Sequence, residues 1–281
     1  GTCPAIRPVD VALALLGLMA AAFIAWLLSQ PARARRRRAR LRSQPFPPEW
    51  SAILQRRMPA FRRLPPDLQR QLEGHVLVFL AEKEFVGCRG QAIDDEVRLT
   101  IAAQACVLLL NRPPLYYPTL EEIFVHPTSY VRTSRVATDE FGPALGDLIE
   151  EEDSFAGESW ERGGVVLAWD EVLESGYGDG YNVVLHEFAH QLDQGGEGAH
   201  AMERDFADWA RVLQEEYSRF KKDVRRGKRT AMDEYGATDP AEFFAVATEH
   251  FFETPGRMRA KHPELYKALR DYYRMDPAAW D

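Results

Sequence analysis

The sequence predicts an α+β fold, helix-rich with a small antiparallel or mixed sheet, preceded by one transmembrane helix. Three observations carry that prediction. Residues 11–28 hold no charge. Most later stretches space their apolar residues at three and four, the period of a helix with one buried face. Only the short runs 123–126, 130–136 and 165–169 have the β-branched and aromatic content of strands.

The first element is the apolar run. Eighteen uncharged residues are near the lower limit for crossing a bilayer as a helix. Trp26 stands where an interfacial aromatic belongs. Arg33, Arg35, Arg36, Arg37, Arg38, Arg40 and Arg42 follow at once. Positive charge after the span orients that side to the cytoplasm. A cleavable signal peptide would carry its charge before the apolar run, where only Arg7 stands. The expectation is an anchor over 1–30, a basic, proline-rich linker over 31–48 and the main domain over 49–281. The chain would sit in the inner (cytoplasmic) membrane as a single-pass protein, with that domain in the cytoplasm.

Within the domain, 49–61 and 67–85 have helical spacing. Asp94 or Asp95 can start a further helix that runs through Leu110 and ends at Pro113 and Pro114. The three strand candidates come next. The segment 176–180, Gly-Tyr-Gly-Asp-Gly, reads as a turn. Met202, Phe206, Trp209, Leu213, Tyr217 and Phe220 form a core stripe at helical spacing. The basic segment 221–229 reads as a solvated loop. Helices follow Asp239 and Pro263.

Composition limits the function classes. Hydrophobic residues make up 46% and charged residues 28%, as in ordinary globular proteins. Residues 1–42 carry eight Arg and one Asp, net +7. The whole chain is −8, which leaves −15 for 43–281. An acidic domain argues against nucleic acid as a partner, since that needs a basic footprint. Cys3, Cys88 and Cys106 offer neither a disulfide framework nor an activated thiol.

One motif carries chemistry. His186-Glu187-Phe188-Ala189-His190 sets two imidazoles at i and i+4, on one face of a helix. Two imidazoles so placed can bind one zinc ion, and the intervening glutamate can reach a water beside it. The chemistry implied is metal-assisted hydrolysis, most simply of a peptide bond. Gly and His at three and six residues beyond the second histidine would mark a metzincin. Asp193 and Gly196 stand there instead. The third ligand lies further on, among His200, Glu203, Glu242, Glu249 and His250. Glu242 is the preferred candidate, one turn into a helix that Asp239 can cap and Pro240 can begin. Its spacing from Asp239 equally fits a capping box, and spacing alone leaves the two roles open. His75, His126 and His262 lie outside any ligand spacing.

Longer motifs surround the pentapeptide. H-E-F-A-H-Q-L-D (186–193) and D-E-Y-G-A-T-D-P-A-E-F-F-A-V (233–246) come with F-P-P-E-W (46–50), I-A-A-Q-A-C-V-L-L-L (101–110) and G-E-S-W-x-R-G-x-V-V-L-A-W (157–169). Over about residues 45–276 the chain resembles the Mlc titration factor A family of zinc-dependent peptidases. The resemblance implies a bacterial protein with a zincin-like fold, related to the catalytic domain of anthrax lethal factor. It implies aminopeptidase-type activity and one zinc ion held by His186, His190 and Glu242. Glu187 would be the general base for attack of zinc-bound water and later the proton donor, and Tyr235 would assist catalysis. The bland alternative for Tyr235 is packing beside the Asp239 cap. Peptide or protein substrates follow, and by family analogy a transcriptional-repressor partner. The alternative function is sequestering such a regulator, with or without peptidase activity. The family analogy also makes 165–169 a sheet edge over the cleft, where a peptide could add as a strand. The anchor and arginine run depart from the soluble form of the family.

Overall fold

The computed structural model describes residues 8–128, 164–194 and 206–280, which fall into two compact units, 1–44 and 45–281. The expected strand at 130–136 lies outside the described residues.

The first unit is a helix, α1 (Pro8–Arg42). It runs unbroken past Pro31 and through the arginines, so the basic segment is helical rather than extended. Arginine and alanine, which fill 32–40, are strong helix formers. Its large apolar side chains are uncovered: Leu16, Leu18 and Leu28 are 60%, 66% and 76% exposed. This is one helix long and apolar enough to cross a membrane.

The second unit opens with α2 (Pro48–Arg57), α3 (Pro59–Arg63) and α4 (Pro66–Glu82). Each begins at a proline, whose missing N–H costs nothing in a first turn. The helix expected over 49–61 is broken at Met58 (φ −129°, ψ 86°). Pro59 pushes the residue before it out of the helical region. The helix expected over 67–85 also stops early. Lys83 is extended, and β1 (Glu84–Gly87) follows.

Asp94 accepts the Val97 N–H at 3.0 Å and starts α5 (Asp95–Val107), which is buried from Leu99 onward. Then come β2 (Glu122–His126) and β3 (Val165–Ala168). The sheet order is β1-β2-β3, with Phe85 opposite Ile123 and Phe124 opposite Val166. Both pairs are parallel. Among the described residues the sheet is therefore parallel, not the antiparallel or mixed one expected from sequence. A helix, α5, lies in the crossover from β1 to β2 and returns the chain to the same end of the sheet. Among the described residues β3 pairs on one side only, as an edge strand.

After α6 (Trp169–Glu174) come α7 (Val183–Gln194) and α8 (Phe206–Arg225). The first half of the basic segment, 221–225, closes α8; only the remainder is loop. A 3-10 turn (Glu234–Ala237) leads into α9 (Pro240–Glu253), and α10 (Pro255–Lys261), α11 (Pro263–Tyr273) and a last 3-10 turn (Pro277–Ala279) complete the chain. α9 is the core helix, buried at every residue from Phe243 to Glu253. Phe243 packs on Tyr217 and Phe220 of α8, and Phe244 on Trp209 and Tyr272. Trp209, Tyr217 and Phe220 of the expected core stripe thus meet α9, and Leu213 is half-buried. Met202 lies outside the described residues.

Candidate metal centre

The helix α7 is set by its first residues and its apolar face. Asn182 Oδ1 accepts the Leu185 N–H at 3.0 Å and caps the helix. Val184, Leu185, Phe188, Ala189 and Leu192 are buried. The Phe188 ring lies 4.9 Å from Tyr117 and 5.7 Å from Phe79. With that face fixed, His186, Glu187 and His190 fall on the half-buried side.

The Nε2 atoms of His186 and His190 are 3.2 Å apart. Glu242 Oε2 comes in from α9, 2.9 Å from His186 Nε2 and 3.5 Å from His190 Nε2. Two imidazole nitrogens and a carboxylate oxygen are a donor set that suits zinc. A tetrahedral zinc with bonds of about 2.0–2.1 Å separates its ligands by roughly 3.3 Å, and these three distances scatter about that value. Among the described residues, His186, His190 and Glu242 form a group able to hold one metal ion. Asp239 Oδ1 caps α9 by accepting from Ala241 and Glu242 N–H at 2.8 and 3.0 Å. The Glu242 carboxylate turns to the imidazoles instead of back to the cap.

Tyr235 sits on the 3-10 turn, 42% exposed, its ring 6.0 Å from that of His186. His200 and Glu203 lie outside the described residues. Glu249 and His250 are both buried. Glu249 Oε1 accepts from His186 Nδ1 at 2.8 Å, and its Oε2 accepts the Asn182 N–H at 2.6 Å. His250 turns away to Thr254, Nδ1 to Oγ1 2.8 Å. Gly180 (φ +106°) lies against its ring; a Cβ there would come 2.3 Å from His250 Cε1. Glycine is required at that position on both counts.

Sequence reasoning missed Asn182 and Glu253. Glu253 is buried; its Oε1 accepts from Asn182 Nδ2 at 2.9 Å and its Oε2 from the Gly178 N–H at 2.8 Å. Two signals were available. An asparagine directly precedes an amphipathic helix, and two glutamates four apart interrupt a run of Phe and Ala. Of the remaining histidines, His75 is buried with Nδ1 2.7 Å from the Tyr116 hydroxyl, and His262 meets the buried Glu216 at 3.2 Å. His126 is half-buried at the end of β2.

Charge at the centre follows from burial and neighbours. Burial works to lower the His186 pKa, but the Glu249 hydrogen bond and the charges of Glu249, Glu187 and Glu242 outweigh it and the net direction is up. His190 goes down, through burial and the charge of His186. Burial raises Glu249 and Glu253. It lowers His250 to about 4. Burial also pushes up the thiols of Cys88 and Cys106, in keeping with inert cysteines.

The same helices lie within the span of a known sequence family. The sequence model of the glucose-regulated metallo-peptidase M90 family matches residues 32–274. The chain is 40% identical over 251 residues to the uncharacterized protein slr2042 of Synechocystis sp., covering 86% of this chain and 89% of that one. It is 30% identical over 207 residues to Mlc titration factor A of Salmonella agona, covering 71% and 76%. Against Mlc titration factor A of Klebsiella pneumoniae it is 29% identical over 227 residues, covering 78% and 84%. A match that takes in β1 to β3, the paired histidines of α7 and the carboxylates of α9 places this chain in the glucose-regulated metallo-peptidase M90 family, alongside the Mlc titration factor A proteins.

Proposed function

We propose that this protein is a zinc peptidase of aminopeptidase type. The observation that carries the reading is the meeting of His186, His190 and Glu242 donor atoms, all within 4.8 Å of one another, from helices more than fifty residues apart. When bound there, zinc supplies Lewis acidity, lowering the pKa of a water beside it and polarising the scissile carbonyl.

The side chains do the rest. Glu187, on the same half-buried face as the histidines, takes a proton from the attacking water on its carboxylate and passes it to the leaving amine nitrogen. Tyr235 donates its phenolic hydrogen to the oxygen that gains charge. The edge of β3 that is unpaired among the described residues offers backbone groups to an extended peptide. Val166→Pro would then lower peptide turnover and leave metal content intact.

The test uses purified protein, aminoacyl-nitroanilide substrates and metal analysis. Glu187→Gln should cut turnover by about 10²–10⁴-fold while the metal stays bound. Turnover that survives the substitution rejects the mechanism.

A second reading is suggested by the relatives named Mlc titration factor A: this domain captures a transcriptional regulator. Capture of a regulator by the Glu187→Gln protein would separate that role from hydrolysis. With −15 on residues 43–281, the reading includes no nucleic-acid partner.

The reading also covers placement. Residues 1–30 anchor the chain, 31–48 lead out of the membrane and 49–281 form the peptidase domain on the cytoplasmic side of the inner membrane. The uncovered leucines of α1 and the arginines beyond them support it. Extraction of the full chain by alkaline carbonate, without detergent, would count against the anchor.

A further inference from the structure

A continuous chain of hydrogen bonds runs from the glycine-rich loop to the metal-facing histidine. The Gly178 N–H donates to Glu253 Oε2 at 2.8 Å. Glu253 Oε1 accepts from Asn182 Nδ2 at 2.9 Å. The Asn182 N–H donates to Glu249 Oε2 at 2.6 Å. Glu249 Oε1 then meets His186 Nδ1 at 2.8 Å. The side chains of the chain are buried: Asn182 is 2% exposed, Glu249 4% and Glu253 8%.

We infer that Glu249 is a positioning residue for His186, and that Asn182 and Glu253 hold it in place as a relay ending at the loop. The inference rests on the reading of His186 as a metal ligand. A carboxylate oxygen accepts, so Nδ1 must carry a ring proton, which leaves the Nε2 lone pair to a metal shared with Glu242. One hydrogen bond fixes the tautomer and the ring plane together. Glu249 cannot swing away, because its other oxygen is tied to the first turn of the helix that carries His186. Asn182 is the junction. Its backbone holds Glu249, its amide holds Glu253 and its side-chain oxygen caps α7. The two glutamates stand four residues apart on α9 and point the same way. Ring plane, helix start and loop are thus set by one buried network, and α7 meets α9 in one register.

Such outer groups are worth about 10–100-fold in metal affinity. The test is zinc affinity of the full chain in detergent, stripped of metal and titrated against a chromophoric chelator. The visible spectrum of the cobalt-loaded protein and the melting temperature of the metal-free protein accompany it. Glu249→Gln removes one acceptor from the network and should weaken zinc binding by about 10–100-fold and change the cobalt spectrum. Asn182→Ser keeps a capping oxygen and loses the amide donor; it and Glu253→Gln should weaken binding less than Glu249→Gln. Thr248→Val is the control. Thr248 stands on α9 beside Glu249 and bonds the Tyr273 hydroxyl of α11; its loss should lower melting without altering zinc affinity. If Glu249→Gln fails to fold, Glu249→Asp, which keeps the charge and shortens its reach, is read in its place. Wild-type affinity with lowered melting would make Glu249 a structural residue and overturn the inference. A larger effect from Glu253→Gln than from Glu249→Gln would overturn the order of the relay. Wild-type protein that binds no zinc would instead sink the metal reading itself.

Discussion

α7 and α9 both reach the candidate metal centre, and they are built on opposite plans. α7 is amphipathic: Leu185, Phe188, Ala189 and Leu192 go inward while His186, Glu187 and His190 keep partial access to solvent. α9 is buried on every side from Phe243 to Glu253. An amphipathic helix can present reactive groups at little cost. A core helix cannot, because each polar group it carries must find a partner or lose the hydrogen bonds that water would have made. The polar groups of α9 all have one. Glu249 has His186 and Asn182, Glu253 has Asn182 and Gly178, and His250 has Thr254. On the proposed reading the chemistry stands on α7, and α9 fixes its geometry. α1 is the counter-example: its residues 11–28 are apolar and uncharged, yet its leucines are exposed, so apolar content alone does not place a helix in a protein core.

The sharpest way to break this division is to remove the α9 side chain that faces the Nε2 atoms of both imidazoles. Glu242→Ala should reduce zinc affinity by more than the 10–100-fold expected of an outer group, because it deletes a donor. The Asp239 cap is untouched, so the metal-free protein should fold as before. Unchanged metal content after purification would leave Glu242 as a helix-start residue only and return the third ligand to the other candidates.

Tyr235 belongs to neither helix and tests whether the turn between them takes part. It is 42% exposed, so loss of its hydroxyl should leave stability within about 0.5 kcal/mol. Tyr235→Phe should lower turnover about 100-fold, the size expected for removing one donor to a developing oxyanion. Equal turnover in the two proteins would assign the ring to packing beside the cap.

The contrast also explains what could be read in advance. The pentapeptide on α7 is legible because both imidazoles sit on one local period. The starts of α5 and α9 are legible because Asp94 and Asp239 bond to backbone two or three residues on. The strand β1 was not. Four residues, Glu84–Gly87, are too few for a period of two to stand out from the helix before them. The parallel sheet was not either, since direction depends on where a crossover returns the chain. Glu249 was read as one of several candidates, and Asn182 and Glu253 were not read at all. Their partners lie more than sixty residues away in sequence, and no local pattern records such a meeting. Tyr235 and Glu242 drew most of their early support from longer motifs rather than from spacing.

His250 separates the burial of α9 from its service to the metal, because it is buried on that helix and bonds away from the centre. Burial holds its folded pKa near 4, while the unfolded chain titrates near 6.5. Arg257 and His262 add to the lowering, and Asp233 and Asp179 oppose it. The folded state thus binds fewer protons than the unfolded state between those two values. Stability from this group is fully present above pH 6.5, is lost as pH falls toward 4, and changes no further below that. Between pH 7.5 and pH 5 the loss is on the order of 2 kcal/mol. Urea unfolding of the metal-free protein at both pH values measures it, with His250→Asn as the reference. The other titrating groups, His186, His190 and Glu249 among them, are common to both proteins and cancel in the difference. The wild type should lose about 2 kcal/mol more than the variant. Equal losses would mean that His250 is protonated in the folded protein at pH 5. The ring would then have to find an acceptor for a second N–H against Gly180.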